Sequence, residues 1–90
     1  MSIEVHRREA DYEVTVDGAH AGLAAFSERP GVVVFTHTEV DDAYEGKGIG
    51  SQLARAALDD VRARGLKVVP LCPFVKAWID RHPDYQELLA

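Results

Sequence analysis

Gly46-Lys47-Gly48-Ile49-Gly50 is the part of this chain whose residue types and spacing point most directly to chemistry. Glycines at every second position let the backbone bring successive N–H groups close to one anion. The segment also opens a stretch of helical periodicity, so the helix dipole and its unpaired first amides add to the attraction. Lys47 supplies a local positive charge. The expected anion site therefore runs from Gly46 to Ser51, held mainly by backbone N–H groups. The spacing is neither that of a Walker loop, Gly-x-x-x-x-Gly-Lys-Ser/Thr, nor Gly-x-Gly-x-x-Gly. The plain alternative is a flexible turn with a glycine N-cap. Three glycines in five residues at a helix start carry an entropic cost that such a turn does not require.

Two further groups have reactive side chains. Cys72 is the only cysteine, and it is followed by Pro73 at the start of an expected helix, where the dipole would lower a thiol's pKa. A lone cysteine in a small domain is more often a buried hydrophobe, and burial beside Leu71, Pro73 and Phe74 would raise that pKa. His37 and Glu39 lie two residues apart on one strand and so share a face. Either could accept a proton. Equally, His37 could be a hydrogen-bonded core residue and Glu39 a solvated strand end, and neither ranks above the other.

The elements that must position these groups follow from periodicity. Tyr12, Val14 and Val16 alternate with polar neighbours, as in a half-buried strand, and Asp17-Gly18 is a hairpin turn. His20 to Phe26 returns, Pro30-Gly31 turns again, and Val32 to Val40 is the strongest strand, β-branched almost throughout. Ile3 to His6 adds a short first strand. From Gly50 to Arg64 the pattern is helical, with Ile49, Leu53, Ala57 and Val61 four apart and Gly65 where the helix stops. Leu66 to Cys72 is a short strand, and Pro70 in it cannot donate a ladder bond. A second helix starts at Pro73, with Phe74, Val75, Trp78 and Ile79 on one face, and ends at His82-Pro83. One more turn follows from Asp84 to Leu89. The order β-β-β-α-β-α is an α+β fold in one domain, residues 1–90, mostly antiparallel, with one parallel pair across the right-handed crossover.

Composition narrows the function. At 90 residues, 47% apolar and 28% charged, the chain is a folded domain. A net charge of −5 argues against general nucleic-acid binding, which needs clustered Lys and Arg. One cysteine rules out an internal disulfide and a Cys-rich zinc site, so no metal is expected. No apolar run approaches the roughly 20 residues of a membrane span. The start of the chain has no signal-peptide pattern, which makes the cytoplasm the expected compartment.

Glu45-x-x-Gly48-x-Gly50 resembles the Gln/Arg-x-x-Gly-x-Gly/Ala acetyl-CoA signature of the GNAT acetyltransferases. The wider run is more specific: His37-Thr38-Glu39-Val40, the glycine loop through Leu53, Pro70-Leu71-Cys72-Pro73-Phe74 and His82-Pro83-Asp84-Tyr85. It resembles the small GNAT-like N-acetyltransferase-like proteins often called YjdJ-type or NATD-type, over about Tyr12 to Leu89. Glu45 departs from the Gln or Arg of the wider superfamily, which weakens one side-chain contact and leaves the backbone cradle intact.

The resemblance implies a reduced GNAT fold that lacks the acceptor-holding first helices. It implies that acetyl-CoA binds with its phosphates at Glu45, Gly46, Lys47, Gly48, Ile49, Gly50 and Ser51. The pantetheine arm would then lie between diverging strands, Val32–Val40 and Leu66–Cys72. It further implies a carbonyl polarised by a backbone N–H near Val40, a base in His37 or Glu39, and Cys72 as a suspected acyl acceptor near the thioester. Tyr85 would be the acid that protonates the departing thiolate, unless it and His82 form a capping cluster. Two functions fit: transfer of acetyl to an amine of unknown identity, or a CoA-binding module without catalysis. The acceptor and the oligomeric state are not written in the sequence.

Overall fold

The alternating apolar residues of the N-terminal half build an antiparallel meander, and the computed structural model describes all of residues 1–90. Strands β1 (Ile3–Arg7), β2 (Asp11–Val16), β3 (Ala19–Arg29), β4 (Val32–Val40) and β5 (Lys67–Pro70) lie in sheet order β1-β2-β3-β4-β5. Asp17 (φ 51°) and Gly18 (φ 85°) make the β2–β3 turn, two successive positive φ angles of the kind that matches the strand twist. Helix α1 (Ile49–Ala63) carries the chain back so that β5 runs parallel to β4, from Val32↔Lys67 to Phe35↔Pro70. Helix α2 (Pro73–Asp80) and a 3-10 turn (Pro83–Leu88) follow.

Both helices cover one face of the sheet. Tyr12, Val14, Val16, Ala24, Val33, Phe35 and Val68 are buried there against Ile49, Leu53, Ala57, Leu58 and Val61 of α1 and Val75, Trp78 and Ile79 of α2. The expected α1 stripe is thus the buried one. Phe74, expected on the same face as Val75, is instead 37% exposed, in the first turn of α2 with its ring beside Gly50. The Tyr12 hydroxyl donates to Asp60 Oδ2 at 2.6 Å and Arg7 Nη1 reaches the same oxygen at 2.9 Å, which ties β1 and β2 to α1. Burial, and then the bond to Asp60, push the Tyr12 pKa up to about 12. Ala90 N donates to Val68 O, so the chain end covers part of the outer edge of β5. No helix is long and apolar enough to cross a membrane.

Candidate functional site

Two irregularities in neighbouring strands open the site. Ala25 pairs with His37 but Phe26 pairs with Phe35, so Thr36 is an extra residue in β4. Such a bulge shifts the side-chain alternation by one. Thr38 and Val40, opposite Ala24 and Gly22, therefore turn to the helix face with Phe35. His37 and Glu39 turn to the uncovered face. The second irregularity is Pro70, the last residue of β5, where pairing with β4 stops. From Thr36 onward β4 has no strand on that side.

The backbone beyond this point is unpaired on its outer side. Asp41 N donates to Ala21 O at 2.8 Å, which makes Val40 and Gly22 a pair whose own N–H and C=O groups point away from each other. The Val40 N–H, and by the two-residue repeat that of Thr38, point to the side β5 has left.

The opening is a groove of about 390 Å³. Thr38 and Val40 form one wall, with Tyr44, Glu45, Gly46, Gly48, Ile49, Gly50 and Ser51 at one end. Phe74, Trp78 and Arg81 of the α2 region form the other wall. Gly46 (φ 77°) and Gly48 (φ 76°) adopt the left-handed conformation, and nothing lies within 4 Å of where a Cβ would stand on either. They are glycines because of their backbone angles, and the space beside them is free. Gly48 is the N-cap of α1, and no side chain caps it. The first amides of α1, Ile49 to Ser51, are left without intrahelical partners. Ser51 Oγ accepts from Trp78 Nε1 at 2.9 Å, which fastens α2 to the helix start and leaves the hydroxyl proton free to donate.

The residues singled out in the sequence fall into two groups. Val40, Glu45, Gly46, Gly48, Ile49, Gly50 and Ser51 come together around the groove. Lys47 lies in the same loop, exposed and outside the lining. The four candidates for catalysis are not brought together. His37 Nε2 and Glu39 Oε1 are 3.2 Å apart, each side chain 62% exposed, on the face away from the groove. Tyr85 is buried, its hydroxyl donating to Asp59 Oδ1 at 2.7 Å and accepting from Arg55 at 3.2 Å, and it does not line the groove. Burial, followed by the bond to Asp59, raises its pKa. Cys72 is buried below the groove wall, with its thiol on Thr38 Oγ1 at 3.2 Å and its amide on Phe35 O. Thr38 thus stands between the sulfur and the open space.

Thr38, Tyr44, Phe74, Trp78 and Arg81 complete the lining and were not foreseen in that role. Trp78 is fully buried, as its place on the apolar stripe predicts, and it also lines the groove. Thr38 is displaced by the bulge, and Arg81 stands just before the His82-Pro83-Asp84-Tyr85 run, which itself gives no sign of a lining role.

A family model for GCN5-related N-acetyl-transferase matches residues 11–88. The human Protein NATD1 is 36% identical over 98% of this chain and 80% of its own length. Protein NATD1 of Danio rerio is 30% identical over 97% and 83%. Among solved structures, a GCN5-like protein from Staphylococcus aureus superimposes with a TM-score of 0.75 at 21% identity, over 97% of this chain and 87% of its own. The ribosomal-protein-S18-alanine N-acetyltransferase from Escherichia coli gives 0.64 at 21% identity, over 72% and 43%. Both structural likenesses concern the fold. With the glycine loop at the start of α1, the divergence of β4 from β5 and a family match over nearly the whole chain, this protein belongs to the GCN5-related N-acetyltransferase family.

Proposed function

We propose that the chain binds acetyl-CoA in the groove between β4 and α2 and transfers the acetyl group to an amine. The observation that carries the reading is the junction of two features in one groove. The uncapped, glycine-formed start of α1 suits a pyrophosphate. The unpaired strand edge at Thr38 and Val40 suits an extended chain that carries amides, as a pantetheine arm does. The Val40 N–H, unpaired within the sheet, suits the thioester carbonyl as negative charge develops on it. The amine attacks the carbonyl carbon, the C–S bond breaks, and the acetyl group moves to nitrogen. The amine's proton leaves and the CoA thiolate takes up a proton.

A second reading is favoured by the positions of the titratable groups. His37 and Glu39 face away from the groove, and the Tyr85 hydroxyl is held by Asp59. A CoA-binding module without catalysis fits those placements. Acetyl-CoA at about 100 times its Kd should raise stability by about 2.7 kcal/mol in a thermal melt under either reading. Release of free thiol across a panel of amines supports transfer, whereas binding without release supports the module. No melting shift with any CoA ester excludes both.

Cys72 offers a covalent route that the same material tests. Its thiolate would attack the thioester carbonyl, forming an S-acetyl cysteine and releasing CoA. The buried sulfur, bonded to Thr38, must first be uncovered. The intact mass after incubation with acetyl-CoA should rise by one acetyl group in the wild type and not in Cys72→Ala. Full transfer to an amine by Cys72→Ala makes Cys72 a packing residue.

A further inference from the structure

The chain's cations are unevenly committed. Arg7, Arg8, Arg62, Arg64 and Lys76 each pair with a carboxylate, and Lys67 donates to a backbone carbonyl. Arg29, Lys47, Arg55 and Arg81 have no acidic partner. In a chain with 15 acidic residues against 10 Lys and Arg, these four cations are left available to an outside anion. Arg29 ends β3, beside the Val32 end of β4 and away from the groove. The other three lie in the glycine loop, on α1 and at the end of α2. Lys47 is in the glycine loop. Arg55, four residues after Ser51 on α1, places its guanidinium 5.2 Å from the centre of the Trp78 ring. Arg81 lines the groove itself. The Arg81 amide closes the end of α2, while its side chain is exposed and bonds to nothing in the fold.

We infer that Arg81, assisted by Arg55, binds a phosphomonoester distinct from the pyrophosphate at the glycine loop, namely the ribose 3′-phosphate of coenzyme A. The inference rests on the CoA reading above and adds a specificity determinant to it. The loop amides and the start of α1 provide for one anionic centre. CoA carries a second, doubly charged one, and its binding calls for a second cationic position. Arg81 lines the same groove as the loop residues. Its planar fork matches a phosphate in two-point contact, which an ammonium group does not do. Arg55 packs near the Trp78 and Tyr85 rings and bonds to the Tyr85 hydroxyl, so little side-chain freedom remains to be lost when an anion arrives beside it.

The test is titration of CoA and of 3′-dephospho-CoA into the wild type, Arg81→Gln, Arg55→Gln and Arg29→Gln. The wild type should bind CoA about tenfold more tightly than dephospho-CoA, equivalent to about 1.4 kcal/mol. Arg81→Gln should bring that ratio to within about twofold of unity, mostly through loss of CoA affinity, and Arg55→Gln should lower it less. Arg29→Gln makes the same charge change at a distance and should keep the wild-type ratio. Melting curves check that each variant folds. A wild type without preference, an unchanged ratio in Arg81→Gln, or equal weakening of both ligands overturns the assignment while leaving CoA binding in place. A wild type that binds neither ligand removes the CoA reading itself.

Discussion

The two halves of β4 are one strand put to different uses. From Val32 to Phe35 it is paired on both sides, and Val33 and Phe35 are fully buried beneath α1. From Thr36 to Val40 it is paired only with β3, and Thr38 and Val40 face a groove. β-Branched residues fill both halves, so propensity does not distinguish them. One extra residue at Thr36 and one proline at the end of β5 do. The bulge sends Thr38 and Val40 to the helix side, and Pro70 ends the ladder that would have covered them. A small domain has little interior to spare for a site. This one opens a groove by leaving a ladder unfinished, and the unpaired strand edge forms one of its walls.

If the open half is the binding half, the largest effect should come from its glycine end. Gly48 has φ 76°, which a β-branched residue adopts only with strain, and it stands beside the unpaired amides of α1. Gly48→Val should reduce CoA affinity at least 100-fold, about 2.7 kcal/mol, by displacing those amides. Titration of a folded sample checks it. Unchanged affinity would detach the glycine loop from ligand binding and end the division between the two halves.

How far the sequence discloses this division depends on how local the cause is. Asp17-Gly18, the α1 stripe and the Gly46–Ser51 loop are local patterns, and each appears in the structure where the sequence puts it. The first strand, Ile3–Arg7, is real because its partner β2 offers a matching apolar face at Val14 and Val16. The bulge is different. Val32-Val33-Val34-Phe35-Thr36-His37-Thr38 reads as an unbroken strand, and the extra residue emerges only from the register with β3. That one-residue shift decides that Thr38, and not His37, looks into the groove. Tyr85 is opaque for a similar reason, since the Asp59 that holds its hydroxyl lies 26 positions away. Arg81 is legible only in the structure, which puts it in the groove lining without a partner of its own.

The closed half should respond to a different perturbation. Tyr12 packs near Phe35, with ring centroids 6.1 Å apart, and its hydroxyl bonds to Asp60. Tyr12→Phe should cost about 1 kcal/mol at neutral pH, the net worth of one such bond, with little change in CoA affinity. The pH dependence supplies a sign. The folded protein holds the Tyr12 proton up to about pH 12, against an ordinary value of 10. That contribution is fully present below pH 10 and is lost as the pH rises towards 12. Tyr85, raised in the same direction, adds to the loss. Urea midpoints across this range should fall with pH in the wild type and fall less in Tyr12→Phe. An equal fall in both would mean that Tyr12 has no such linkage.

The smallest effect should come from Lys47, and its size sharpens the account of the open half. Lys47 is exposed, lines none of the groove and has no carboxylate partner. It sits between two glycines whose backbone angles shape the loop, so its own side chain is not needed for that shape. A mobile ammonium near an anion acts through space, and such an interaction is screened over about 10 Å at 0.1 M salt. Lys47→Ala should therefore weaken CoA binding two- to threefold at low ionic strength, about 0.5 kcal/mol. The difference from wild type should vanish as salt approaches about 1 M, where the screening length is about 3 Å. If the backbone amides hold the ligand, the affinity that remains at high salt should be theirs and common to both proteins. Titrations at several salt concentrations separate the two contributions. If Lys47→Ala abolished binding at every ionic strength, the loop would hold its anion by the lysine. The unpaired helix start, and with it the case for the open half as a backbone-built site, would lose its role.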